Sequence, residues 1–516
     1  MLGGAARSAR RDWLFACLLA AGLVLRVLAQ FAYRPALVYI DSDRYLRGLG
    51  DQDPLGYRGW LWPLQRVGGL AAVAAGQHIL GLGMAVALYA VLRRRGLWRW
   101  TAALAAAPIL LDGYQLQAEQ TIMPDVLFEA LIVAGLACAL WRGRLTARLA
   151  CATGVLFGMA VDVRQVGEAL LLPVLLLMVV CGPGWRRRLA CGALASASCA
   201  VPVLGYMTAR YTATGHFAIT QRSGDMLYAR AAAAADCRTL RLPPDEQPLC
   251  PPPQTVAHLG IDGLLGDDNG PLSIYRPPQG TTARAMAGRF AAAVVRQQPW
   301  AVIGSVDHDF LRLFALTRDG SPAVTPITRW QFQLSYPTYR PVITLQYVAH
   351  VQPGGSRPEV TRPLAEILRA YQLHGGYTSG PGLALALILG LAGSSAGGRL
   401  RGPHRSLAGA SMICTAAALA ILLASDAYEF SWRYQLPALV LLPLAGALGT
   451  ATLAARFRAE RSAGALRGPG RAASPVRLSP AHGRPPSWSL PPGLPSAGLT
   501  PQPGSGPVPR REASPR

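Results

Sequence analysis

About ten apolar stretches recur along this chain, near residues 13–33, 69–91, 98–111, 123–141, 148–163, 167–182, 189–209, 381–397, 407–425 and 433–453. A helix needs about 20 mostly apolar residues to cross roughly 30 Å of hydrocarbon, where every backbone polar group has to be satisfied within the segment. The third, fifth and eighth stretches are short or interrupted. The expected fold is therefore an all-α polytopic membrane protein with about ten transmembrane helices. Composition agrees, since 51% of the 516 residues are hydrophobic and only 15% are charged.

The formal charge of +23 comes from arginine alone. On a soluble domain such a balance would suggest nucleic acid, but here the arginines fall in short clusters between apolar runs, so no nucleic-acid partner is expected. Cytoplasmic loops collect basic residues. Arg7, Arg10 and Arg11 place the N-terminus inside, together with "RRRGLWRW" (93–100), "RGRLTAR" (142–148), "GWRRR" (184–188), "GGRLRGPHR" (397–405) and "RFRAER" (456–461). Every second connection is Arg-rich, which puts both termini in the cytoplasm and the protein in the plasma membrane. The first span is too long, and too poor in a small-residue cleavage site, to be a removed signal peptide.

Four blocks follow: a seven-span module over 1–209 with its first outer loop at 34–68, a mixed extracytoplasmic block over 210–380 between the seventh and eighth spans, three spans over 381–455, and a tail over 456–516. The tail is rich in Pro, Gly, Ser and Arg and is expected to be disordered. In the external block, 283–318 has helical, amphipathic spacing, whereas "PPDEQPLCPPPQ" and "SIYRPPQGTT" are Pro-broken loops. Cys237 and Cys250 lie in this block, in an oxidising compartment, and are expected to form a disulfide. The other seven cysteines sit in or beside apolar stretches as small buried hydrophobes.

Polar residues that interrupt the apolar pattern gather at one membrane face. In "YIDSDRYLRGL" a short helix puts Asp41, Arg44 and Tyr45 on one face and pairs Asp43 with Arg47. Glu119 and Asp125 stand in the turn before the fourth span, with Glu129 deeper, where an ionisable group is costly unless it has a partner or a wet cavity. Arg164 breaks the run between the fifth and sixth spans, near Asp162 and Glu168 as competing partners. Arg433 and Tyr434 precede Pro437 at the last span. Asp307, His308 and Asp309 offer metal-ligand side chains, but adjacent residues on a helix point apart, so no metal is assigned. This inventory suits an anionic lipid meeting an external nucleophile: a carboxylate takes a proton while arginines, whose planar fork fits a phosphate, hold the leaving group.

In these features the chain resembles the GT-C superfamily of integral membrane glycosyltransferases over about residues 10–455, in particular the phospholipid-carrier-dependent group with the protein mannosyltransferases and aminoarabinose transferases. The likeness rests on "YIDSDRYL", "AEQTIMPDVLFEALI", "VDVRQVGEALLLP" and "WRYQLPALVLLP". It implies a hexosyl- or pentosyltransferase, with no cofactor, that moves a sugar with inversion from a polyprenyl phosphate to an extracytoplasmic glycan, lipid or protein. Asp41 looks like the catalytic base, four residues before Tyr45 as in an Asp-Glu-x-x-Tyr pattern. Ser42 takes the Glu position and Asp43 the next, so Asp43 stays an alternative. Glu119 and Asp125 are similar to the second acidic position, and Arg164, Arg433 and Tyr434 to phosphate ligands. Two other functions use the same charges: a transporter or flippase for an anionic lipid-linked sugar, and a non-catalytic membrane scaffold. Coding bias toward Arg, Ala and Gly points to a GC-rich bacterial genome.

Overall fold

The computed structural model describes residues 12–48, 53–143, 145–180, 184–220, 223–318, 320, 325–399 and 403–466. The N-terminal arginines and the tail beyond 466 lie outside the described residues.

Each apolar stretch folds as a helix. In chain order the helices up to residue 214 are α1 (Trp13–Ala32), the short polar α2 (Ser42–Arg47), α3 (Arg58–Arg94), α4 (Arg99–Leu111), the polar α5 (Gly113–Gln120), α6 (Asp125–Leu140), α7 (Ala147–Val163), α8 (Leu171–Val180) and α9 (Trp185–Thr214). Among the described residues, five helices are long and apolar enough to cross a membrane: α1, α3, α9 and the later α18 (Pro403–Asp426) and α19 (Pro437–Leu466). The remaining apolar stretches form shorter helices. α19 continues past 456, so "RFRAER" is helical and Arg456 pairs with Glu460 at 2.8 Å.

The distribution of polarity is that of a protein dissolved in lipid. On α1 the large residues Leu23, Val24, Val27 and Phe31 point outward, while Gly22, Ala29 and the charged Arg26 are buried. Water would reverse this arrangement; hydrocarbon favours it, because only a polar partner inside the bundle can satisfy the guanidinium. Arg26 donates to Glu119 Oε1 at 2.7 Å and to the carbonyls of Gly22, Ile109 and Leu110. His78 Nδ1 lies 2.9 Å from Glu119 Oε2. A Cβ at Gly81 would stand 2.1 Å from Glu119 Oε1, so that glycine makes room for the carboxylate.

α3 is bent at Gly68 and Gly69. Gly69 has φ +68°, which favours glycine, and a side chain there would meet the Gln352 amide at 2.6 Å. The bend separates the amphipathic start of α3, with Tyr57 buried at its N-cap, from the apolar run that packs against α4 and α6.

The block between α9 and the last helices holds α10 (Ser223–Ala234), α11 (Pro253–Gly266), α12 (Pro271–Ile274), α13 (Ala283–Gln297), α14 (Pro299–Arg312), α15 (Leu345–Val351) and α16 (Arg362–Leu373), followed by α17 (Gly380–Ser395). α10 to α13 enclose their own core around Tyr228, Leu249, Met286 and Phe290. Cys237 and Cys250 are bonded beside it. α14 packs on α18, and α16 on α1. A two-stranded antiparallel pair, β1 (Tyr33–Arg34) with β2 (Glu359–Val360), joins the start of the loop between α1 and α3 to this block.

Removing one partner of a buried ion pair strands the other, at a cost of about 3–5 kcal/mol, whereas an exposed pair is worth about 0–1 kcal/mol. Glu119→Ala is therefore expected to lower the melting temperature in detergent far more than Glu359→Ala, whose partner Arg34 is exposed. Equal melting temperatures for the two variants would contradict a structural role for Glu119.

Candidate active site

Backbone pairing brings the separated polar segments together. Leu37 N donates to Gln120 O at 2.9 Å and Leu37 O accepts from Ile122 N at 2.9 Å, fastening the loop between α1 and α3 to the turn that opens α6. Further along the loop, Gly56 N donates to Asp162 O at 2.9 Å, fastening it to the end of α7. A Cβ at Gly56 would be 2.3 Å from that carbonyl, so the approach requires glycine. Asp41, Asp125 and Arg164 each stand within a few residues of one of these anchors. The turn between α18 and α19 supplies Arg433.

Asp41 immediately precedes α2, whose C-terminus is closed by Gly48 at φ +79°. Arg433 Nη1 donates to Asp41 Oδ2 at 2.7 Å, and Arg433 Nε donates to Asp125 Oδ2 at 3.0 Å and Oδ1 at 3.2 Å. Arg164 Nη1 donates to Asp125 Oδ1. Arg44 Nη1 lies 3.3 Å from Asp41 Oδ1 and 2.8 Å from Asp53 Oδ2. The charges thus alternate through Asp53, Arg44, Asp41, Arg433, Asp125 and Arg164. Alternation is what makes such burial tolerable, because each ion is offset by an opposite neighbour. Tyr434 lies under two guanidiniums, with its ring centroid 4.8 Å from Arg164 and 5.3 Å from Arg433.

This chain of charges borders a cavity of about 620 Å³. Asp41, Arg44, Asp53, Arg164, Arg433 and Tyr434 line it, joined by Asp262 from α11 and by Thr325, Arg329 and Glu429. Asp125 stands behind the wall, only 3% exposed. Asp43 and Glu119 do not line the cavity. Asp43 accepts from Arg47 Nε at 2.7 Å on the neighbouring face of α2, and Glu119 is held by Arg26 and His78. Glu129 accepts from Gln115 Nε2 at 2.9 Å. Arg164 takes Asp125 as its partner rather than Asp162 or Glu168. Asp309 pairs with Arg230 at 2.6 Å, away from the cavity lining.

Sequence reasoning missed Arg329, Asp262, Thr325 and Glu429. Arg329 Nη1 donates to the Tyr39 hydroxyl at 3.0 Å and makes no ion pair among the described residues. It lies in a short turn, Ile327–Trp330, with no periodicity to single it out. Burial pushes the Tyr39 and Tyr434 hydroxyls up, so both remain neutral hydrogen-bond donors at physiological pH. The Thr325 hydroxyl donates to Glu429 Oε1 at 3.0 Å and lies 3.5 Å from Asp262 Oδ2. Burial, with the Asp262 charge added, raises the Glu429 carboxyl from 4.5 to about 8.

Residues 69–213 match the model of the dolichyl-phosphate-mannose-protein mannosyltransferase family. The matched stretch runs from the bend in α3 to the end of α9 and carries Glu119, Asp125 and Arg164. Over it, the resemblance to phospholipid-carrier-dependent GT-C glycosyltransferases holds. No curated protein matches the chain. Among solved structures, it is similar to the S. cerevisiae protein O-mannosyltransferase Pmt1-Pmt2 complex bound to the sugar donor, at 17% identity over 42% of this chain and 35% of that one, with a TM-score of 0.33. It is also similar to the oligosaccharyltransferase AglB of Archaeoglobus fulgidus, at 15% identity over 91% of this chain and 48% of that one, TM-score 0.32. ArnT of Cupriavidus metallidurans bound to undecaprenyl phosphate is 15% identical over 87% of this chain and 79% of that one, TM-score 0.29. The chain spans about a third of the length of the yeast protein and about half of AglB.

Because the folded protein holds the Glu429 proton more tightly than the unfolded chain does, this group's stabilising contribution is fully present below about pH 4.5 and is lost as pH rises through about 8. The melting temperature of the wild type is expected to fall more steeply across that window than that of Glu429→Gln. Parallel profiles would show that Glu429 titrates normally.

Proposed function

We propose that the protein is a membrane glycosyltransferase that moves a sugar, hexose or pentose, from a polyprenyl-phosphate donor to a hydroxyl of an extracytoplasmic glycan, lipid or protein. The observation that carries this reading is the convergence on one cavity of Asp41 and Arg44, from one segment of the chain, with Arg164, Arg329 and Arg433 from three others. The family match over 69–213 supports the reaction class.

In the reaction, the acceptor oxygen forms a bond to the anomeric carbon from the side opposite the phosphate. The bond from that carbon to the phosphate oxygen breaks, and its electron pair leaves with the phosphate. Asp41 takes the acceptor proton as the new bond forms. The cavity arginines offset the charge that grows on the leaving phosphate. Asp125 acts behind the wall by holding Arg433 and Arg164 in place. The lipid phosphate is already an activated leaving group, so the chemistry asks for base, anion site and orientation. In topology, residues 1–209 form the catalytic module, 210–380 the extracytoplasmic block, 381–455 the closing helices and 456–516 the tail, with about ten spans in a plasma membrane and both termini cytoplasmic.

Asp41→Asn is expected to slow transfer from a polyprenyl-phosphate sugar by about 10²- to 10⁴-fold while the melting temperature changes little. Asp43→Asn, outside the cavity, should keep most of the wild-type rate. Normal turnover by Asp41→Asn would remove Asp41 from the role of base, and the reverse ranking would transfer that role to Asp43.

A further inference from the structure

The block between α9 and α17 carries a second cavity, of about 540 Å³, bordered by Arg241, Arg289 and Arg296. All three side chains are exposed, and none forms an ion pair among the described residues. One carboxylate, the buried Glu246, also borders the cavity. Three guanidiniums to one carboxylate leave the groove cationic. This differs from the site around Asp41, where arginines and carboxylates alternate.

The groove has a fixed frame. Ala285, Gly288 and Ala292 fall with Arg289 and Arg296 on one face of α13, which runs about 16 Å from Ala285 to Arg296 at about 1.5 Å per residue. The facing wall is the loop closed by the Cys237–Cys250 disulfide. That loop is clamped to the end of α13 by Gln297, whose Nε2 donates to Arg241 O at 2.9 Å and whose Oε1 accepts from Arg241 N at 3.0 Å. The small side chains keep the floor open: a Cβ placed on Gly288 meets nothing within 4 Å. α10, which packs against α13, packs also on α11, whose Asp262 lines the cavity around Asp41. The two cavities therefore belong to one block.

We propose that this groove binds an anionic carbohydrate chain, one bearing carboxylate or phosphate groups, and anchors it as the acceptor. Its length suits a chain of several sugar units rather than a single anion, and forked guanidiniums along an open floor recognise successive anionic groups bidentately. Its role as acceptor anchor rests on the transferase reading above; the binding itself does not.

The test is titration calorimetry of the full-length protein in detergent, with an oligogalacturonate as probe and neutral dextran and inorganic phosphate as controls. Oligogalacturonate is expected to bind, and to weaken at least tenfold between about 0.05 and 0.5 M salt. The Arg289→Ala/Arg296→Ala double variant should lose at least tenfold in affinity, as the loss of one or more charged hydrogen bonds requires. Gly288→Phe, which fills the groove with a better helix former, should bind as weakly while remaining folded. Wild-type affinity in both variants, equal binding of dextran, or phosphate binding as tightly as the oligomer would overturn the proposal. Binding is read without turnover, so a protein that transfers no sugar but binds the oligomer in this groove would refute the transferase reading alone.

Discussion

Arg433 holds the site together. One guanidinium reaches Asp41 at 2.7 Å through Nη1 and Asp125 at 3.0 Å through Nε, tying the segment between α1 and α3 to the start of α6 and both to the last turn before α19. These two carboxylates are 84 residues apart in sequence (125 minus 41), and Arg433 is distant from both. A lysine could offer its charge to one of them but has no planar fork to span two. The position of Asp41 in the cavity, and hence any role it has as a base, depends on that bridge.

The two buried acidic systems differ in what surrounds them. Glu119 is enclosed by Arg26 and His78, on helices that carry apolar stretches, and by Gln115 on its own helix, and it lines no described cavity. Its hydrogen bonds are those of a structural pair in a medium where an unpaired charge is expensive. Asp41 has comparable partners in Arg433 and Arg44 but borders open space, and its side chain is 22% exposed. The distinction between a buried strut and a carboxylate that a substrate could reach lies in that access, since both acids are paired with arginine.

Much of this was legible in the sequence. The apolar stretches became helices because length and hydropathy are local properties, and Asp41, Asp125, Arg164, Arg433 and Tyr434 stood out as polar residues breaking apolar patterns. The spacing of four between Asp43 and Arg47 foretold their pair at 2.7 Å. What was hidden depends on contacts between distant segments. Glu119 and Asp125 look alike in the chain, and only the positions of Arg26 and His78 on other helices separate them. Arg329 and Glu429 sit in irregular turns, where no period marks a side chain as facing inward, and Asp262 follows the break in α11 at Gly260. The partner of Arg164 was likewise open until the fold brought Asp125 to it.

The most direct measurement is an electron cryo-microscopy structure of the full-length protein in nanodiscs with a polyprenyl phosphate bound. The account predicts phosphate density in the cavity within hydrogen-bond reach of at least two of Arg44, Arg164, Arg329 and Arg433, with Asp41 facing the side from which an acceptor approaches. A phosphate held elsewhere, with the Arg433 bridge intact and the cavity closed to the lipid, would contradict it.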